Sequence, residues 1–112
     1  MEAYRSIRPV VLATLEREYP YLQKQYGIQQ LRLFGSVSRG EDTPESDIDL
    51  LYIFSPEMNT YDNLFDLHEY LTYLFGRKIE LVSEKWSGER FLKRALQDAI
   101  SIQSVSAELG TV

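Results

Sequence analysis

Two pairs of residues, separated by a loop, are suited to chemistry on a phosphorylated substrate. Gly35 and Ser36 end one short apolar run, and Asp47 and Asp49 flank Ile48 at the start of another. A Gly-Ser turn exposes backbone N–H groups to phosphate oxygens, because glycine has no Cβ to block close approach and serine adds a hydroxyl donor. The two aspartates suit the magnesium ions that accompany nucleotide phosphates. The spacing therefore predicts a phosphate-binding turn beside a metal-binding face.

Asp47 and Asp49 are predicted to act together. Strand residues two apart point to the same face, so both carboxylates can reach one ion. One of them can also bridge to a second ion roughly 3.5–4 Å away. Without a cation, two like charges beside a hydrophobic run repel each other and lose solvation. We therefore prefer a metal role over the alternative, an Asp-x-Asp pair that caps or ends a strand.

Some of the other polar residues have both a functional and a structural interpretation, and the rest have only a structural one. Glu80 lies between apolar residues, where it either supplies a third carboxylate or points outward from an exposed strand position. Arg39 either stabilises charge on bound phosphates or is a solvated loop residue. We interpret the loop acids, including Asp42, as solvated, and His68 as a helix-surface or packing residue. With no cysteine and a single histidine, a zinc site has no ligand set.

The composition limits the possible classes of protein. A chain of 112 residues fits one compact domain, which we expect to span residues 1–112. The net charge of -5 disfavours a broad basic surface, and therefore nucleic acid as the principal ligand. No apolar run approaches the length of a membrane span, and the N-terminus lacks a signal-peptide pattern. Since the chain also has no cysteine, we expect a cytoplasmic protein without membrane contact.

Hydrophobic periodicity predicts the first elements that must position these residues. Apolar residues at helical spacing predict a helix over residues 7–26. We expect it to kink or break near Tyr19, because Pro20 cannot donate a mid-helix hydrogen bond. Gly27 is the expected stop, and a short strand then runs up to Phe34.

The remaining pattern completes the fold class. Residues 35–46 predict a loop with one helical turn after Ser36, and Ile48 to Phe54 predict a central strand buried on both faces. The tail from Ser101 onward is either a frayed end or a docking segment. The later predicted elements are a helix over 62–75, a strand over 78–82 and a last helix capped by Ser87. Together they predict an α+β fold with a small three-stranded mixed sheet packed against helices.

These motifs resemble the nucleotidyltransferase superfamily named after DNA polymerase beta, and in particular its minimal nucleotidyltransferase (MNT) domain. The resemblance covers nearly the whole chain and implies the polymerase beta-like nucleotidyltransferase fold. The third acid is often aspartate in the family, and this chain departs from that pattern with Glu80. The matching stretches are Leu33–Ser36 (L-F-G-S), Ser38–Gly40 (S-R-G), Ser46–Leu50 (S-D-I-D-L) and Ile79–Val82 (I-E-L-V).

The resemblance implies an NTP, usually ATP, as substrate, together with Mg²⁺, for which we expect two ions. In the family a hydroxyl attacks the α-phosphorus and pyrophosphate leaves, and the third carboxylate is placed to act as a base. Arg39 remains a further candidate for contact with the nucleotide. The implied phosphate-binding residues are Gly35 and Ser36, and the implied metal-binding and catalytic residues are Asp47, Asp49 and Glu80.

By analogy with relatives in the family, the length of the chain limits the kinds of acceptor molecule that we expect. Relatives that modify antibiotics or extend RNA carry further domains that hold the acceptor, and we expect none here. An isolated domain of this length resembles the antitoxin of HEPN/MNT toxin–antitoxin pairs, which implies transfer of AMP to a tyrosine of a HEPN ribonuclease toxin. Two alternatives stay open: a non-catalytic module that neutralises its partner by contact, and a catalytic subunit for a small-molecule or RNA acceptor.

Overall fold

Helices and strands alternate through residues 3–103, the part of the chain that the computed structural model describes. This confirms the predicted α+β class. A short 3₁₀ turn spans Pro56–Met58. The elements are α1 (Arg8–Tyr26), β1 (Ile28–Phe34), α2 (Gly35–Arg39), β2 (Ile48–Phe54), α3 (Tyr61–Phe75), β3 (Ile79–Ser83), α4 (Glu89–Ala95) and β4 (Ile100–Ser101).

Within residues 3–103 the sheet has four strands, in the order β3-β2-β1-β4, rather than the predicted three. The fourth strand is Ile100–Ser101, which pairs antiparallel with β1 near Leu33. Its two residues are too few to show a strand period in the sequence. The central strand β2 pairs antiparallel with β1 and parallel with β3, so the sheet is mixed, as predicted.

Strand register decides which residues share one end of the sheet. Asp49 lies opposite Glu80 on β3 and opposite Phe34, the last residue of β1. Because β1 ends where β2 begins, Gly35 follows directly beside Asp49. The register thus brings the predicted phosphate-binding turn and the predicted acids to the same end of the sheet.

Strand β2 is buried on both faces, which explains its nearly continuous apolar sequence. Alternate residues from Ile48 to Phe54 join the main core together with the buried residues of α1 and α3. Leu51 faces the opposite side and is also fully buried. Asp49 shares that opposite face and is half-buried at its end.

Helix α1 is continuous through Pro20, so of the two expected alternatives near Tyr19 the break is wrong, and the kink stays a prediction. A proline inside a helix costs roughly 3 kcal/mol. Here Tyr19 and Leu22 are buried on either side of it, and this packing holds the helix together, while Pro20 itself is exposed. The predicted stop at Gly27 is confirmed, because its φ of 69° ends the helix in the left-handed conformation.

The C-terminal third differs from the prediction in its local contacts. Ser87 does not cap α4; its hydroxyl donates instead to the Ser83 carbonyl oxygen at 2.6 Å and closes the turn after β3. In the tail, Ser101 belongs to β4 and Ile102 is buried, so these residues are not frayed. Residues 104–112 of the predicted tail lie outside the described residues. Every helix within 3–103 is too short or too polar to span a bilayer.

Candidate active site

Three carboxylates meet at the end of the sheet where β2 and β3 begin. Asp47 directly precedes β2, Asp49 is its second residue, and Glu80 is the second residue of β3. One oxygen from each carboxylate lies within 4.8 Å of the others. Such a set of oxygen ligands suits Mg²⁺, which is typically held by a few carboxylates together with substrate phosphates. The structure thus brings together the three acids that we predicted as metal ligands.

The electrostatics of the cluster also favour a bound cation. The pKa of Asp49 is raised to about 6, mainly by burial and in addition by the neighbouring carboxylates of Glu80 and Asp47. Lys78 offers only a solvated charge, with Nζ 3.8 Å from Asp47 Oδ2 and a side chain that is 78% exposed. Since a divalent cation would relieve both the repulsion and the burial cost, the residues fit a metal site.

Gly35 makes possible the close approach between α2 and the acids. Its φ is +79°, and a Cβ added to it would lie 2.3 Å from Asp49 Oδ2. No larger residue can occupy this position without moving the carboxylate. Ser36 continues the first turn of α2, whose N–H groups have no partner within the helix. The predicted helical turn is confirmed, although it starts at Gly35 rather than after Ser36.

The short helix α2 is held by the segment that follows α4. The buried Ser38 hydroxyl lies 2.9 Å from the carbonyl oxygens of both Gly35 and Asp98, either of which can accept its hydrogen. Arg39 forms ion pairs with Glu41 at 2.8 Å and with Asp98 at 2.6 Å. These two acids raise the pKa of Arg39, and the charge of Arg39 offsets a small part of the rise in the pKa of Asp49. Arg39 is therefore a fixed positive charge beside the cluster, and its contact with nucleotide stays a prediction.

The loop between α2 and β2 is anchored by residues that sequence reasoning missed. Asp42 is buried, not solvated as predicted: its carboxylate accepts hydrogen bonds from the hydroxyls of Tyr4 and Ser6 and from the Ile7 N–H. These bonds lower the pKa of Asp42, although burial acts in the opposite direction. The anchor ties the loop to the N-terminal segment, thirty-five or more residues away in the chain.

A second anchor comes from Arg77, just after α3. Its Nη1 donates to the carbonyl oxygens of Thr43 at 3.0 Å and Ser46 at 3.3 Å. This clamp fixes the turn that leads directly into Asp47. No local pattern in the sequence could identify it, because the partners are backbone atoms more than thirty residues away.

His68 has a structural role, as predicted. Its Nε2 lies 2.9 Å from the Ile79 carbonyl oxygen and donates to it when the proton is on that nitrogen. The bond ties α3 to β3 one residue before Glu80.

Comparison with known proteins identifies the fold family. Residues 18–108 match the family model described as Polymerase beta, Nucleotidyltransferase. The chain belongs to this family. A protein of Methanocaldococcus jannaschii, provisionally named a protein adenylyltransferase, is 33% identical over 86 residues, which cover 75% of this chain and 85% of that one. The resemblance inferred from the Gly-Ser and Asp-x-Asp motifs is thereby confirmed, and the enzyme class is nucleotidyltransferase.

Two solved structures support the same fold. A protein provisionally described as a minimal nucleotidyltransferase superposes with a TM-score of 0.72 at 32% identity, over 83% of this chain and 93% of that chain. A complex of a tri-AMPylated HEPN toxin of Shewanella oneidensis with its MNT antitoxin gives a TM-score of 0.60 at 15% identity, over 89% of this chain and 78% of that chain. At this identity, the second comparison shows the fold alone.

Proposed function

We propose that this chain is an Mg²⁺-dependent protein adenylyltransferase that transfers AMP from ATP to a tyrosine of a HEPN toxin, and that it thereby acts as the antitoxin. The observation that carries the proposal is the meeting of Asp47, Asp49 and Glu80 beside Gly35. The name of the Methanocaldococcus relative supports a protein acceptor, and the AMPylated toxin in the Shewanella complex supports the choice of partner.

Different residues of the site bind the divalent cations and the triphosphate of the nucleotide. Asp47, Asp49 and Glu80 hold divalent cations, and bound Mg²⁺ would neutralise phosphate charge and polarise the α-phosphate. The backbone N–H groups at the start of α2 donate to triphosphate oxygens, which Gly35 allows to approach closely. Arg39 adds positive charge on the same side, where Asp98 and Glu41 hold it in place.

Glu80 is the residue best placed to accept the acceptor's proton. It is the exposed member of the cluster, so an incoming hydroxyl can reach it without displacing the sheet. A tyrosine hydroxyl has a pKa of about 10 and needs a base at neutral pH. As the proton passes to Glu80, the tyrosine oxygen forms a bond to the α-phosphorus. The bond from the α-phosphorus to the bridging oxygen breaks, and pyrophosphate leaves with that electron pair.

Labelling of the partner tests the proposal. The chain is incubated with ATP labelled at the α-phosphate, with Mg²⁺ and with a HEPN protein. We expect label on the HEPN protein, reduced on the order of a hundredfold or more in Asp47→Asn/Asp49→Asn, because the main metal ligands are lost. The matched control Glu16→Gln/Glu89→Gln removes the same charge away from the site and should label like the parent chain.

Three outcomes of that experiment would contradict the proposal. Full neutralisation of the toxin by Asp47→Asn/Asp49→Asn would favour the module that acts by contact alone. Label on RNA or on a small molecule instead of the HEPN protein would favour the third hypothesis, a catalytic subunit for another acceptor. Equal labelling by both double variants would show that the carboxylate cluster is not the catalytic site.

A further inference from the structure

An open groove runs along the outer strand of the sheet and ends at the catalytic cluster. It lies between β3, the edge strand, and α3. Its first half has a volume of about 520 Å³ and is lined by Glu80 among other residues. Its second half, of about 480 Å³, extends to Trp86. The two halves share Tyr61 and Leu64, so they form one surface, which we call the β3 groove.

Large aromatic side chains stand exposed around the β3 groove. Tyr61 is 90% exposed, Phe65 is 63% exposed and Trp86 is 79% exposed. Exposed aromatic residues grouped on one surface mark sites of protein contact, and such residues supply much of the binding energy when they become buried. The apolar lining is therefore suited to side chains of another polypeptide.

An acidic line borders the aromatic one. Asp62, Asp66 and Glu69 recur at helical spacing on α3, next to Tyr61 and Phe65, and all three are exposed. None of the ion pairs found among residues 3–103 involves these three acids. We call them the acidic rim. Electrostatic complementarity favours a basic partner for this rim, and aromatic faces also attract Lys and Arg.

We propose that the β3 groove docks a basic segment of the acceptor polypeptide. Apolar side chains of that segment pack against Tyr61, Phe65 and Trp86, and its Lys or Arg residues contact the acidic rim. Because the groove ends at Glu80, a segment seated in it delivers its hydroxyl to the catalytic cluster. This inference rests on the proposed function, since it requires the acceptor to be a protein.

Charge reversal of the acidic rim tests the inference with the HEPN protein as probe. In Asp66→Lys/Glu69→Lys we expect the KM for the HEPN protein to rise about tenfold. The reason is that charges at the rim of an interface govern how fast the two proteins associate. The kcat and the Kd for Mg²⁺-ATP should stay within about twofold of the parent values, because the cluster and α2 are untouched. The matched control Glu16→Lys/Glu89→Lys makes the same change in net charge elsewhere and should leave the KM unchanged.

Removal of the aromatic contacts provides a second test. Tyr61→Ala/Phe65→Ala should raise the same KM about tenfold and leave the Kd for Mg²⁺-ATP unchanged. Since both side chains are mostly exposed, the thermal unfolding midpoint should stay close to that of the parent chain.

Failure of the inference can be distinguished from failure of the proposed function. If the parent chain labels no protein, the proposed function itself is contradicted. If it labels the HEPN protein and the rim and aromatic variants both keep the parent KM, the β3 groove is not the docking site. Self-association of the parent chain that Tyr61→Ala/Phe65→Ala abolishes would also overturn the inference, because a second copy would then occupy the groove.

Discussion

Gly35 and Asp49 act as a pair at the residue scale, because the position of one depends on the size of the other. A methyl group at residue 35 would overlap Asp49 Oδ2, and the positive φ adds backbone strain. The Gly-Ser motif and the Asp-x-Asp motif are thus halves of one site that must be built together. The sequence shows both motifs, whereas their contact depends on the β1–β2 register.

We predict that Gly35→Ala reduces AMP transfer by about a hundredfold, since a shift of roughly 1 Å in a catalytic group can have that effect. The control is Gly76→Ala, which has a similar φ of +61° but open space around the added methyl group. Both variants should lose some thermal stability, and only Gly35→Ala should lose activity. Transfer assays and thermal unfolding of the two variants check this. Equal activity in both would show that the contact with Asp49 is unimportant.

The raised pKa of Asp49 predicts a pH dependence of stability in the metal-free protein. The folded-state pKa is about 6 and the ordinary value is 3.8, so the folded state favours protonated Asp49. Its contribution to stability is therefore complete below pH 3.8 and is lost as the pH rises through 6.

Denaturant unfolding in EDTA, at several pH values, measures this contribution as the difference between the parent chain and Asp49→Asn. We expect Asp49→Asn to gain stability relative to the parent between about pH 4 and pH 7, where the parent carboxylate ionises. Added Mg²⁺ should stabilise the parent more than the variant over the same range. A difference that does not change with pH would contradict the burial and repulsion inferred for Asp49.

At the element scale, the sequence predicts best those parts whose signal is local. The bounds of β2 match the predicted run from Ile48 to Phe54, because burial on both faces leaves a continuous apolar stretch. Helix α3 begins after Thr60, whose hydroxyl accepts the Asn63 N–H, and ends at Gly76, within one residue of the prediction. In each case neighbouring residues carry the information.

Features that depend on distant partners were mispredicted or missed. The strand Ile100–Ser101 exists only through its pairing with β1, and the continuity of α1 at Pro20 depends on packing against the core. Asp42 and Arg77 look like ordinary surface charges, because the groups that they bind come from other parts of the chain. The candidate acids were therefore predictable, while the contacts that hold their loop were not.

The Arg77 clamp predicts a positioning effect on Asp47. In Arg77→Ala the Thr43–Ser46 turn loses its two long-range hydrogen bonds, so amide hydrogen exchange at residues 43–47 should accelerate. We expect kcat to fall about tenfold, because Asp47 follows that turn. Arg17→Ala is the control, since Arg17 is largely exposed and pairs only with Glu18 among the described residues. Unchanged exchange in the turn would contradict the clamp.

At the scale of the whole molecule, one end of the sheet holds the carboxylate cluster, and the open edge strand β3 borders the β3 groove. The two features meet at Glu80. Asp42 and Arg77 hold the loop that leads into Asp47, and the bond from Ser38 to Asp98 holds α2, whereas Glu80 is exposed and lines the groove. This arrangement suits an enzyme whose acceptor arrives on another molecule, with the acceptor hydroxyl presented at one edge.

Mass spectrometry of the HEPN partner tests the central claim most directly. After incubation with the parent chain, Mg²⁺ and ATP, we predict that the partner gains a whole number of adenylyl groups. Fragmentation should place them on tyrosine, and Asp47→Asn/Asp49→Asn should add none. A partner whose ribonuclease activity is silenced by the parent chain under these conditions, but whose mass is unchanged, would contradict the account.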